Sequence, residues 1–451
     1  MAKRFTSGRV PATGMESLFA TPARWQCWLD VEAALARAQA ELGLIPAEAG
    51  AAITRACDLG QLDVAHVETE IERTSHPLMP LIVELSRVTG EPHGGWVHWG
   101  ATTQNITQTG DTLLLRRAHA LIEAQLRDIL AVLADLTERT ADLVMAGRTH
   151  GQHAVPITFG YKTSAWIDEC LRHRRRLDEL APRLFVAIIG GAAGTGASFG
   201  ADPGKLQRVV AGYLDLTPMP VPSRAIADHH AEFVTVLGLI ATTSGKIGRE
   251  IYQLMKTEYQ EAEEPMPVGT VGSSTMPHKR NPQLCQDIIG CTNEIRALVP
   301  LALESALSEH EADNAPSDMF EVQRRVCELT AESLARVRVI LADLRLNPER
   351  MRRNLELSAG MISSEAIMLR LGLILGRQTA HEVVYDAAQT AATTGTSFAD
   401  LLAADRRLTD ELDAAELKWL LEHETHLGSA ASIARVQAAR ARERGDADAQ
   451  Q

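Results

Sequence analysis

Three stretches of this chain repeat apolar residues with the spacing of one helix face, and they restrict the fold more than any other feature. From Thr112 to Thr140 the apolar positions are Leu114, Leu121, Ile129, Val132 and Leu136. From Phe233 to about Glu258 they are Phe233, Val236, Leu237, Ile240, Ile247, Ile251 and Leu254. From Val322 to Leu346 they are Val326, Leu329, Val337, Ile340 and Leu344, and the run stops at Asn347-Pro348. Spacings of three, four and seven align side chains along a helix. Helices this long bury such faces in a bundle, completed within one chain or by other subunits, and periodicity alone does not separate the two. A composition 45% hydrophobic but only 4% aromatic favours helices over sandwiches and barrels. The expected class is therefore all-α.

A length of 451 residues suggests about three domains. Turn-rich residues up to about position 24 lead into a helical pattern at Trp25, Leu29, Val31, Leu35, Ala38 and Leu42, and Gly90 to Gly95 forms a clear break. Beyond Pro348 the helices shorten. The expected division is an N-terminal helical domain (residues 1–108), a central long-helix bundle (109–354), and a C-terminal helical domain with a polar tail (355–451), disordered from Arg440. One segment resists an all-helical reading. Leu184 to Gly196 looks like a strand entering a glycine-rich phosphate loop, but Pro203 and the Pro218-Met219-Pro220-Val221-Pro222 breaker follow instead of a second strand ending in an acid. A close-packed linker between long helices accounts for it better.

The formal net charge of -13 argues against a nucleic-acid surface. Six scattered cysteines without C-x-x-C or His-x-x-x-His spacing suggest neither a disulfide framework nor a metal site. No N-terminal signal region and no run of about 18 apolar residues appear, so no membrane partner and a cytoplasmic setting are expected.

Three polar segments carry the chemistry. Gly272 to Pro282 reads Gly-Ser-Ser-Thr-Met-Pro-His-Lys-Arg-Asn-Pro. Gly269 and Gly272 loosen the backbone, and Asn281-Pro282 reads as the N-cap and first residue of an apolar helix. Ser273 and Ser274 thus precede a helix N-terminus that stabilises anions, either a substrate carboxylate or a deprotonated serine. His98 to Asn105 places Thr102 and Thr103 before a long helix, as a cap or a carboxylate grip. Gly147 to Ala154 places His150 and His153 on a helix end, as capping groups or as groups titrating near neutral pH.

The eleven-residue loop, the His-Trp-Gly-Ala-Thr-Thr-Gln-Asn run and the Gly-Arg-Thr-His run, in this order and spacing, resemble the three signature regions of the fumarase/aspartase superfamily. A Gly-Gly-x-x-Gly-Thr segment like that at Gly190 to Thr195 also belongs to it. The resemblance spans the whole chain. It implies a homotetramer whose central helices form one shared bundle, active sites built between subunits, no cofactor, and a small dicarboxylate or tricarboxylate substrate. It also implies anti elimination on a succinyl unit. Ser273 matches the base and His150 the general acid. Lys279 and Asn281 match groups that hold a substrate carboxylate, facing Thr102, Thr103 and Gln104, and Ser274, His76 and Gln286 fall in the same substrate-binding set. The doubly charged aci-carboxylate intermediate needs such preorganised donors.

The sequence departs from its relatives in places. Fumarate-releasing members orient the histidine with a glutamate where this chain has Gln286, which can hydrogen-bond but supplies no charge; His153 is the reserve acid. Cycloisomerases of bacteria carry Trp where His150 sits, which favours a lyase. Yet His98 to Thr102, Gly360 to Ala366 and Glu309-His310-Glu311 look more like the cycloisomerase branch. Where adenylosuccinate lyases hold the nucleotide, this chain has Ile226 to His230 and Ser317 to Glu321, and a Glu321 in place of a phosphate-binding arginine would repel phosphate. The expected function is a lyase releasing fumarate from a substituted succinate, an N-substituted aspartate foremost and not a nucleotide. The alternative is 3-carboxy-cis,cis-muconate cycloisomerase.

Overall fold

The computed structural model describes residues 4–311 and 316–449. Long helices dominate it: Thr103–Arg139, Phe159–Leu184, Asp228–Leu254, Gln283–Ser305 and Pro316–Ala342. The Gln283 helix lies between the Asp228 and Pro316 helices, and the Thr103 helix lies between the Phe159 and Pro316 helices. Ile122, Ile129 and Leu133 of one helix meet Phe233, Leu237, Ile240, Ile288, Val326 and Ile340 of the others in a single core. Each such side chain stabilises the bundle by roughly 1.5–3 kcal/mol when fully buried. Trp25, Trp28 and Leu35 of the Thr21–Glu41 helix belong to the same core. Ile367, Leu371, Val383, Phe398 and Leu402 form a separate apolar cluster.

The first bundle helix is 37 residues long and begins at Thr103, not Thr112. Its opening turns are polar (Gln104, Asn105, Thr107, Gln108), so no apolar period marks them. Thr102 ends the preceding segment in extended conformation, and its N–H donates to Asn105 Oδ1 at 3.2 Å. Short ladders interrupt the helical plan. Val144–Thr149 pairs antiparallel with Gln152–Thr158, Val186–Ala187 pairs parallel with Thr217–Pro218, and Ala262–Glu263 pairs antiparallel with Arg345–Leu346.

Two local expectations change. His150 and His153 lie on the Val144–Thr158 hairpin instead of a helix end: His150 (φ 52°) and Gly151 (φ 75°) are both left-handed, which reverses an antiparallel pair in a two-residue turn. The C-terminal stretch is not a loose tail, since Ala430–Ala449 is one helix. Its Ala438 and Ala441 enter the main core, and Arg435 and Arg442 pair with Asp142, Asp135 and Glu138. Small apolar residues let it lie close to the bundle, a pattern that composition alone reads as a solvated tail.

The Leu184–Gly196 stretch is a packed linker, with no phosphate loop. The long helix continues to Leu184, and a Cβ on Gly190 would stand 2.5 Å from the Pro222 carbonyl oxygen. The Gly191 N–H donates to Asn105 Oδ1 at 3.0 Å, and Ser198 Oγ donates to the Gly100 carbonyl at 2.6 Å. The linker therefore braces the start of the Thr103 helix. Among the described residues no single helix is long and apolar enough to cross a membrane.

Candidate active site

The Gly272–Pro282 segment forms an irregular loop, with Ser273 half-buried and Ser274 through Arg280 exposed. Asn281 Nδ2 donates to the Gly272 carbonyl at 2.6 Å and closes its base. The Met276 N–H donates to Ser273 Oγ at 3.1 Å. The following helix takes Pro282 as its N-cap, so Asn281 fastens the loop and does not cap the helix. Nor is the helix N-terminus free for an outside anion. Glu264, fully buried, accepts from the Leu284 and Cys285 N–H groups at 2.9 and 3.0 Å. Burial pushes its carboxyl upward, and those two N–H groups and Arg9 oppose the shift. Arg9 also donates from Nη1 to Gln283 Oε1 at 3.1 Å, tying the N-terminal segment to the same helix start.

Three residues before Glu264, a second buried carboxylate holds the hairpin. Arg148 donates from Nη1 and Nη2 to Glu261 at 2.9 and 2.6 Å, and Asn354 Nδ2 donates to Glu261 Oε1 at 2.7 Å. The Arg148 guanidinium lies 4.8 Å from the Tyr259 ring centroid. This places His150 at an exposed tip, where no hydrogen bond is formed to its ring among the described residues. His153 sits across the ladder from Arg148; burial first, and then the Arg148 charge, hold its pKa down.

The third cluster lies at the start of the Thr103 helix. His76 Nδ1 accepts from the Leu78 and Met79 N–H groups at 3.3 and 3.0 Å. That fixes the neutral ring's proton on Nε2, which faces Thr103 Oγ1 at 3.5 Å. Thr103 and Gln104 line a cavity of about 340 Å³ together with Arg24, Gln108, Asp111, Arg224, His230, Phe320 and Gln323. Lys279, Asn281 and Gln286 line a different, open cavity of about 1600 Å³. His150 lines neither of these cavities, and no hydrogen bond joins Gln286 to it. One chain thus brings His76 to Thr103 and Gln104, and Lys279 to Asn281 and Gln286, but does not unite the three segments.

Residues that carry no motif do much of the positioning. Glu261 and Glu264 were not legible as functional, although two buried carboxylates in the Glu261-Ala262-Glu263-Glu264-Pro265 run are a signal once burial is known. Arg24 and Asp111 form a bidentate pair at 2.8 Å, with Arg24 stacked 3.3 Å from the Phe320 centroid. Glu321 pairs with Arg324 at 2.6 Å and is not among the residues lining the Thr103 cavity. The side chains of Ser317 and Asp318 lie outside the described residues.

A lyase family model matches residues 8–296, and an adenylosuccinate lyase C-terminus model matches residues 360–436. The chain belongs to the fumarase/aspartase superfamily and is a lyase of that group. It is 38% identical to N-acetyl-S-(2-succino)cysteine lyase of Enterococcus italicus, over 92% of this chain and 91% of that one. It is 39% identical to adenylosuccinate lyase of Methanothermobacter thermautotrophicus, over 90% and 91%. Its backbone matches the 3-carboxy-cis,cis-muconate lactonizing enzyme of Pseudomonas putida with a TM-score of 0.88 at 35% identity, covering 98% and 99%. A succinyl-lyase function of this family follows.

Proposed function

We propose that the protein catalyses anti β-elimination on a substituted succinate and releases fumarate, breaking a C–N or C–S bond. The observation that carries this reading is the Ser273 loop: a half-buried serine whose oxygen already accepts the Met276 N–H, in a loop that also bears Lys279 and is closed by Asn281. In this scheme Ser273 as alkoxide takes the Cβ proton. The Cβ–H electrons form the alkene, the bond to the leaving heteroatom breaks with its electron pair, and His150 protonates that atom. The alkoxide is stabilised by the Met276 N–H and the cationic loop, since Glu264 occupies the helix N-terminus. Thr102, Thr103, Gln104, Ser274, Lys279, Asn281 and His76 hold the carboxylates, and Gln286 orients His150 from another subunit of a homotetramer.

Support comes from relatives named for succinyl substrates with sulfur and with nitrogen leaving atoms. The muconate reading is kept as a second arm because of the Pseudomonas putida structure. The test follows fumarate release from N-acetyl-S-(2-succino)cysteine, N-substituted aspartates and adenylosuccinate, beside loss of 3-carboxymuconate. Fumarate from a succinyl compound supports elimination. Muconate loss without fumarate from any of them overturns it.

A further inference from the structure

The cavity beside Thr103 contains more unsatisfied polar chemistry than a packing defect would. Among the side-chain atoms buried there without a hydrogen-bond partner are Gln104 Oε1, Gln108 Oε1, Gln323 Nε2, Arg224 Nε and His230 Nδ1. Buried polar atoms are ordinarily satisfied, so a convergent set of them marks a place built for a ligand. Gln108 is oriented by donating from Nε2 to the Arg224 carbonyl at 3.3 Å, which leaves its oxygen as the free acceptor. Trp28, Pro77, Met319 and Phe320 supply apolar wall.

The charge balance narrows the ligand. Arg24 is engaged by Asp111. Arg224 makes no ion pair among the described residues. His230 is held neutral by burial and by its neighbour His229. Whether or not Asp111 keeps its proton, the cavity is net positive.

We propose that this cavity receives the leaving half of the substituted succinate, and that this half carries a carboxylate, bound by Arg224 and Gln323, next to an amide or amine N–H, bound by the Gln104 and Gln108 oxygens. The inference rests on the elimination reading, because Thr103 and Gln104 link the cavity to the carboxylate-holding cluster. The ligand class is an acylated or free amino acid bearing the heteroatom, in place of an uncharged amine or thiol.

The experiment compares N-acetyl-S-(2-succino)cysteine with N-acetyl-S-(2-succino)cysteamine, which lacks only the leaving-half carboxylate. Arg224→Gln is expected to raise KM for the first roughly tenfold or more and to leave KM for the second nearly unchanged. Arg224→Lys should recover part of the loss, and fumarate should inhibit all three proteins equally. Equal effects on both substrates overturn the proposal. So does weakened fumarate inhibition, which would place Arg224 against a succinyl carboxylate instead of the leaving half. Should Arg224→Gln fail to fold, Gln323→Met carries the same comparison. If no succinyl compound releases fumarate, the elimination reading falls. Calorimetric binding of N-acetylcysteine, lost in Arg224→Gln, would then still assign the cavity, and no binding to wild type would overturn it.

Discussion

Ser273 and Glu264 show what a residue's sequence context reveals and what it hides. The order of types around Ser273 is specific, so its candidacy was legible without coordinates. Ser273→Ala is expected to abolish fumarate release while unfolding free energy changes by no more than about 0.5 kcal/mol, as for a loop position outside the core. Wild-type turnover in that variant would refute the base assignment. Glu264 had no comparable signal, because its partners Leu284 and Cys285 lie 20 and 21 positions away with no periodic relation to it. Hydrogen bonds to a charged group contribute roughly 1.5–3 kcal/mol each, so Glu264→Ala should destabilise the chain by about 3 kcal/mol or more in urea unfolding. A change below about 1 kcal/mol would show that water or another group replaces the cap.

At the scale of elements, the long helices were readable wherever one face is apolar and unreadable where an end is polar. The Thr103 helix loses its first turns to this blindness, and the His150 hairpin disappears for a related reason: glycines and histidines read as a break, while the left-handed turn that makes them a hairpin depends on backbone angles. What anchors the hairpin is Arg148 on Glu261, a pair whose carboxylate is fully buried and whose guanidinium is 16% exposed. Removing one partner of a buried pair leaves a desolvated charge, which typically costs about 3–5 kcal/mol. Arg148→Ala should therefore lower thermal stability and, by loosening the strand that presents His150, reduce turnover as well. Arg148→Ala that melts with wild type would show that the Glu261 pair does not hold the hairpin.

For the whole molecule, a buried histidine in the bundle interior ties stability to pH, and the bundle exterior bears on assembly. His173 is buried, bonded through Nε2 to Thr243 Oγ1 at 2.8 Å, and burial together with Arg176 depresses its pKa from 6.5 to about 4. A depressed base contributes stability that is complete above the unfolded value and is lost as pH falls from about 6.5 to about 4, ~3 kcal/mol in all. Urea titrations at pH 7 and pH 4.5 should show this loss, and His173→Gln should flatten it. On the outside, Leu239, Leu301 and Leu303 remain 43%, 45% and 55% exposed along bundle helices. The three candidate segments meanwhile stay apart within one chain. Both facts fit a site completed by neighbouring copies, and that arrangement has a consequence a self-contained site lacks. Ser273→Ala and His150→Asn should each be inactive alone. Mixed tetramers refolded from equal amounts should regain activity at about one site in four, because some sites then draw an intact Ser273 and an intact His150 from different chains. If each active site lay within a single chain, no mixture of the two variants would recover turnover.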